Sequence, residues 1–168
     1  EFCREMLIPP ATTAKTPPPE DIVPGSRARC FPPLEACPEN EFYKKYPLVL
    51  MSELPRYRFH SQWFSTPLLR ELDPEPYVKS NPADAEARGI AHGDVVRVLN
   101  DRGDMKIRAF LTEGIIPGTV ATQSGWTPDY FIEGCYQNLT HHTICDAEEA
   151  YSMTNSAFYD VLVEVEKA

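Results

Sequence analysis

The stretch over residues 77–126, YVKSNPADAEARGIAHGDVVRVLNDRGDMKIRAFLTEGIIPGTVATQSGW, constrains this chain more than any other. It reads as a strand, a short helix, a tight turn, two more strands, a second turn and a final strand. Asn81 suits the N-cap of a helix over 82–88, and Pro82 fits its first position, where no amide donor is missed. Asp84 then faces the positive end of the helix dipole. Gly89 supplies a left-handed C-terminal residue, with Ile90 folding back onto the helix. From Gly93-Asp94 onward, Val95, Arg97 and Leu99 alternate with Val96 and Val98, the period of a half-buried strand. Asp101-Arg102-Gly103-Asp104 has hairpin chemistry, and residues 105–111 are the returning strand. Ile116-Pro117-Gly118 turns the chain into a strand over 120–124. The result is a small, mainly β unit with one helix wedged in.

The flanks extend this unit. Residues 47–54 (PLVLMSEL) form a short continuous apolar run suited to a buried strand, ending in a loop over 55–63 crowded with aromatic and hydrogen-bonding groups. Thr66 and Pro67 open a helix whose Leu68, Leu69 and Leu72 are expected to face the core. After Trp126 comes a loop-like run over 127–150, and long irregular loops within compact domains are usually functional. Residues 158–166 alternate as a half-exposed last strand. Six or more strands in so short a chain favour a closed barrel.

Residues 1–46 differ from this. They hold nine of the 17 prolines and one of the eight glycines, which favours extended, polyproline-type chain. Phe31, Leu34, Phe42, Tyr43 and Tyr46 favour docking of this segment over free motion. The organisation expected is a proline-rich linker or wrapping segment over 1–46 and a β-barrel domain over 47–168.

Charge and composition exclude several functions. The formal net charge of -9 argues against nucleic-acid or anionic-membrane partners. No apolar run approaches the ~20 residues needed to insert across a bilayer. Residues 1–6 lack a secretory pattern and an initiator Met, so a piece of a longer polypeptide is a fair expectation. Five cysteines, odd in number and without a CxxC pair, make no disulfide scaffold and leave the compartment open, cytoplasm or periplasm. His141-His142 with Cys135 and Cys145 fit no metal-ligand spacing. No nucleophile elbow or phosphate-cradling glycine loop is present, so this segment alone is expected to be non-catalytic.

Several pieces carry a resemblance. Asn81-Pro82 through Arg88-Gly89-Ile90 and Gly93-Asp94-x-Val96, then Asn100-Asp-Arg-Gly103, Ile116-Pro117-Gly118-x-Val120 and Gly125-Trp126, stand in one order. With Arg58-x-His60-Ser61-Gln62 before them and Asn138-Leu-Thr140 after, the set resembles the C-terminal dinucleotide-binding domain of molybdopterin oxidoreductases. This is the superfamily of dimethyl sulfoxide reductase and formate dehydrogenase. The resemblance spans about residues 46–167 and implies a six-stranded double-psi β-barrel of the aspartate decarboxylase type, with short helices. It implies binding of bis(molybdopterin guanine dinucleotide) carrying molybdenum or tungsten. The metal ligand would lie upstream, and the partners would be upstream domains of the same polypeptide and an iron–sulfur electron-transfer subunit. Family contact positions carry over to His60, Ser61, Gln62 and Asn138, and further to Trp126, Phe158 and Tyr159.

The residue chemistry agrees with that role. A pterin guanine dinucleotide is flat, polar-edged and anionic at its pyrophosphate. Arg58, His60, Ser61 and Gln62 offer amide, imidazole and hydroxyl groups in one loop, and Gln123, Ser124, Trp126 and Asn138 offer a second set. Each also has a plainer reading. Arg58 and His60 read equally as solvated loop residues, Gln62 and Asn138 as turn formers, and Trp126 as core. Asn138-Leu-Thr140 also matches a glycosylation acceptor. Two other readings of the whole remain: a stand-alone small subunit of a molybdenum or tungsten enzyme, and a double-psi barrel that binds proteins only.

Overall fold

A computed structural model describes residues 33, 35–141 and 160–168. Phe158 and Tyr159, expected near the ligand, lie outside the described residues, as do His142, Cys145 and residues 1–32. The elements in order are helix α1 (Glu41–Lys45), strand β1 (Leu48–Glu53), helix α2 (Pro67–Leu72), β2 (Tyr77–Ser80), helix α3 (Pro82–Glu86), β3 (Val95–Asn100), β4 (Gly103–Leu111), β5 (Thr119–Gln123), the two-residue β6 (Glu133–Gly134) and β7 (Leu162–Lys167).

The central stretch folds for the reasons its residues supply. The Asn81 side chain accepts from the Ala83 amide at 3.0 Å, and Asp84 accepts from the Gly118 amide at 2.7 Å. That second bond ties the start of α3 to the turn before β5. Gly89 takes φ +64°, and the Ile90 amide returns to the Ala85 carbonyl at 2.9 Å. Asp101 and Arg102 form a two-residue turn, since Asn100 and Gly103 are paired in register.

Six strands close in the ring order β2–β5–β1–β7–β3–β4, and β4 pairs back onto β2. Pairings β1–β5 and β2–β4 are parallel, and the other four of the ring are antiparallel. This is the double-psi barrel. Inside it Leu50, Val78, Val96, Val98, Met105, Ile107, Val120 and Val163 are at most 1% exposed. Burial of each such side chain contributes roughly 2 kcal/mol. The outer edge of β4 is divided: residues 108–111 pair with β2, and residues 105–106 pair with β6.

Two local expectations are corrected. The leucines of α2 do not reach the core, for Leu68 is 67% and Leu72 55% exposed. A six-residue helix laid outside a filled, closed barrel has no interior left to enter. The last strand is half-exposed as its alternation implies, with Leu162, Val163 and Val165 buried and Glu166 and Lys167 exposed, and it pairs with both β1 and β3. The run after Trp126 is more structured than its periodicity suggests. It contains 3₁₀ turns at Pro128–Tyr130 and Tyr136–Leu139, with Phe131 and Leu139 buried.

The approach to β1 is pinned by charge. The Glu35 carboxylate accepts from Arg102 Nη1 at 2.6 Å, Arg102 Nη2 at 2.9 Å and the Leu162 amide at 2.6 Å. In return Asp160 accepts from the amides of Glu35 and Ala36, at 2.8 and 2.7 Å. Glu35→Ala leaves the buried Leu162 amide and the Nη1 and Nη2 of the half-buried Arg102 without this partner, while Arg102 Nε keeps the Leu139 carbonyl. We expect it to lower the unfolding free energy by about 2–3 kcal/mol in denaturant titration, and Glu35→Gln by less. Equal stability of wild type and Glu35→Ala would show that the segment is not held by this carboxylate.

Candidate functional site

Strand directions bring the polar loops together. Strands β1 and β5 are parallel, and β2, which is antiparallel to β5, is parallel to β4. The carboxyl ends of β1 and β5 therefore lie at the same barrel end as the amino ends of β2 and β4. The loop over 54–66 and the run over 124–141 both open there. The backbone of the first loop is bent sharply. The Gln62 amide donates to the Phe59 carbonyl at 2.9 Å, while His60 and Trp63 adopt φ of 52° and 62°. Positive φ is rare for residues bearing a side chain, and such outliers gather at functional sites.

Beneath the loop lies a buried polar knot. Arg58 donates to Asp73 Oδ2 from Nη2 at 3.0 Å and from Nε at 3.3 Å. Its Nη2 also reaches Gln123 Oε1 at 3.2 Å, and its guanidinium carbon stacks 3.8 Å from the Trp126 ring centroid. Gln123 Oε1 accepts from Trp126 Nε1 at 2.9 Å, and its Nε2 donates to the Tyr77 hydroxyl at 2.9 Å. Burial, the largest influence on Tyr77, pushes its phenol up, so this hydroxyl stays neutral near pH 7. Tyr130 joins the two loops, with its ring centroid 5.1 Å from Trp126 and 5.3 Å from Phe64.

The predicted contact residues thus divide. His60, Ser61 and Gln62 are exposed, and the side chains of Ser61 and Gln62 make no hydrogen bond among the described residues. Arg58 and Trp126 are buried. Ser124 is half-buried, its amide donating to the Glu53 carbonyl at 2.9 Å. Asn138 is exposed on its 3₁₀ turn, with Nδ2 3.3 Å from the Asp104 carbonyl. Gly103 packs against this turn, since a Cβ there would lie 3.0 Å from the Asn138 carbonyl oxygen.

Sequence reasoning missed Asp73 as the partner of Arg58, and Gly125 as the residue abutting His60. No pattern flags the first. The second had a signal in Gly125 preceding an aromatic residue after a strand, where a close approach asks for glycine.

The loop over 56–64 contains Arg56, Arg58 and His60 and no carboxylate. It is open on one side: the hollow of about 310 Å³ beside α2 is lined by Ser65, Pro67, Arg70, Glu71 and Pro74 and includes no predicted contact residue. Among the described residues no group of three or more His, Cys, Asp or Glu side chains could hold a metal ion. The arrangement is a closed barrel domain with a sharply bent polar loop at one end.

Comparison with known proteins names the class. The family model described as "Molydopterin dinucleotide binding domain" matches residues 48–157, and the chain belongs to that family. A Halobacterium salinarum protein, described as a catalytic chain of dimethyl sulfoxide reductase, is 42% identical over 138 residues, 81% of this chain and 16% of that protein. The trimethylamine-N-oxide reductase of Haemophilus influenzae is 46% identical over 110 residues, 58% of this chain and 13% of its own. The chain therefore spans about a sixth or less of these relatives. Among solved structures, acetylene hydratase from Pelobacter acetylenicus shares the fold at TM-score 0.60 and 20% identity, over 86% of this chain and 22% of that one.

The knot itself can be tested. Gln123→Leu leaves the Trp126 indole N–H and the Tyr77 hydroxyl without their buried partner. The expected loss is about 2–3 kcal/mol of unfolding free energy, read by denaturant titration. Unchanged stability would show that these groups find water instead.

Proposed function

We propose that this domain holds a molybdopterin guanine dinucleotide cofactor, carrying molybdenum or tungsten, inside a larger oxidoreductase polypeptide, and has no catalysis of its own. The observation that supports this most is the loop turn over 59–62. It sets three exposed polar side chains, two of them without a hydrogen bond among the described residues, on a strained backbone anchored to a rigid barrel. When bound, the cofactor supplies oxidation–reduction chemistry at its metal, and the protein supplies binding and orientation.

Each residue has a role in this reading. Ser61 and Gln62 read polar edges of the pterin or guanine, and His60 and the neighbouring backbone amides face the phosphates. Ser124 and Asn138 offer further contacts across the mouth. Phe158 and Tyr159 are proposed contacts on the strength of the family pattern. The metal ligand lies in other domains of the same polypeptide, and an iron–sulfur subunit is a proposed electron partner. Residues 1–46 are proposed to form a proline-rich linker or wrapping segment preceding the barrel domain of 47–168. The exposed Leu54, Phe59, Trp63, Leu68 and Leu72, all between β1 and β2, would then be covered by the rest of the polypeptide. The names of the relatives favour an enzyme that reduces S- or N-oxides.

The test uses the full gene product purified from metal-replete cells. Denaturation is expected to release a pterin guanine dinucleotide together with molybdenum or tungsten, and release of neither would contradict the proposal. The double variant His60→Ala/Gln62→Ala should lower bound pterin severalfold while changing unfolding free energy by about 0.5 kcal/mol or less per site. Full pterin content in that variant would remove these residues from the site.

A further inference from the structure

Gly125 and the turn over 59–62 approach more closely than two passing loops need to. A Cβ on Gly125 would lie 2.3 Å from both the carbonyl carbon and oxygen of His60, and 2.8 Å from the Ser61 nitrogen. All three are backbone atoms, so nothing can swing aside. Gly125 itself takes φ +86°, a region that side chains rarely adopt. It presses on the one turn whose His60 and Trp63 have positive φ. Strained backbone of this kind persists only where its surroundings over-determine it.

Arg58 immediately precedes the same turn and anchors its start. Its side chain is 1% exposed, and it is committed to Asp73, Gln123 and the Trp126 ring. Its Nη1 is buried without a hydrogen-bond partner among the described residues. Apolar side chains of similar volume in place of both Arg58 and Asp73 would remove the buried pair at little cost, whereas loss of Arg58 alone leaves the Asp73 carboxylate buried and unpaired. Stability alone does not account for a guanidinium here.

We propose that Arg58, Asp73 and Gly125 are positioning residues: they clamp the turn over 59–62 in its strained form, so that His60, Ser61 and Gln62 are aimed at the ligand before it arrives. Arg58 acts through the turn and does not touch the ligand. This rests on the cofactor-binding function proposed above. Gly125 fixes the turn from the side of β5, and the Arg58–Asp73 pair fixes it to the chain after α2. The ordering of the turn is thus met by folding, and binding need not supply it.

The experiment compares Arg58→Met, Asp73→Asn and Gly125→Ala in the full gene product with His60→Ala/Gln62→Ala and with the triple variant combining Arg58→Met with that pair. One readout is pterin released per polypeptide. The other is amide hydrogen exchange over residues 58–63 in cofactor-free protein. Arg58→Met and Gly125→Ala are each expected to lower pterin content about tenfold and to speed exchange in the turn, and Arg58→Lys, which keeps the charge but not the planar fork, to fall between Arg58→Met and wild type in both. Adding Arg58→Met to His60→Ala/Gln62→Ala should cost clearly less pterin than Arg58→Met costs alone, because of the three side chains it aims only Ser61 is left. Additive losses would place Arg58 on the ligand and overturn the proposal, as would unchanged exchange in Arg58→Met. Should Gly125→Ala or Arg58→Met not fold, Asp73→Asn and the paired change Arg58→Met/Asp73→Leu carry the same comparison. Absence of pterin from the wild type would refute the binding function, while the exchange readout still decides whether the clamp exists.

Discussion

The parallel pairing of four residues of β2 with β4 is the constraint on which the rest depends. Without it the strands would form an open sheet with two edges, and the polar loops at the ends of β1 and β5 would sit on a surface free to twist. Closure removes those edges and fixes the strand ends in a ring. Because β2 runs antiparallel to β5 and parallel to β4, the same pairing sets which loops share an end. Among the described residues the side chains that fill the interior are apolar and fully buried, so the ring is packed.

On that ring the mouth is built in two tiers. The lower tier is the buried set of Arg58, Asp73, Gln123, Trp126 and Tyr77, whose donors and acceptors are turned toward one another. The upper tier is the turn carrying His60, Ser61 and Gln62, exposed and turned away from the polar groups below. Charge follows the same division. The one carboxylate buried near the loop among the described residues, Asp73, is neutralised by Arg58, so it does not oppose an anionic ligand above. The open side of the mouth and the apolar residues around α2 fit a domain that supplies one wall of a larger site.

Much of the barrel was legible in the sequence because its signals are local. The Asn81 cap, the left-handed Gly89, the Asp101-Arg102 turn and the alternation of Val96 and Val98 each depend on a few adjacent residues. The candidate loop was legible by the density of its polar and aromatic groups. What could not be read depends on distant chain. Glu35 reaches an amide 127 positions away, and Asp73 meets an arginine 15 positions back across no repeating pattern. The leucines of α2 have helical spacing, yet spacing cannot say whether a helix faces its own barrel or another domain. Arg58 and Trp126 read as ligand contacts from their chemistry, and only burial shows them occupied with each other.

The most direct measurement of the central claim is an experimental structure of the cofactor-loaded full gene product. It should place polar atoms of the pterin guanine dinucleotide within about 3.2 Å of Ser61 or Gln62 side-chain atoms, with Arg58 still buried against Asp73 and Trp126. A cofactor lying away from the turn over 59–62, or an Arg58 drawn out to meet it, would contradict the account.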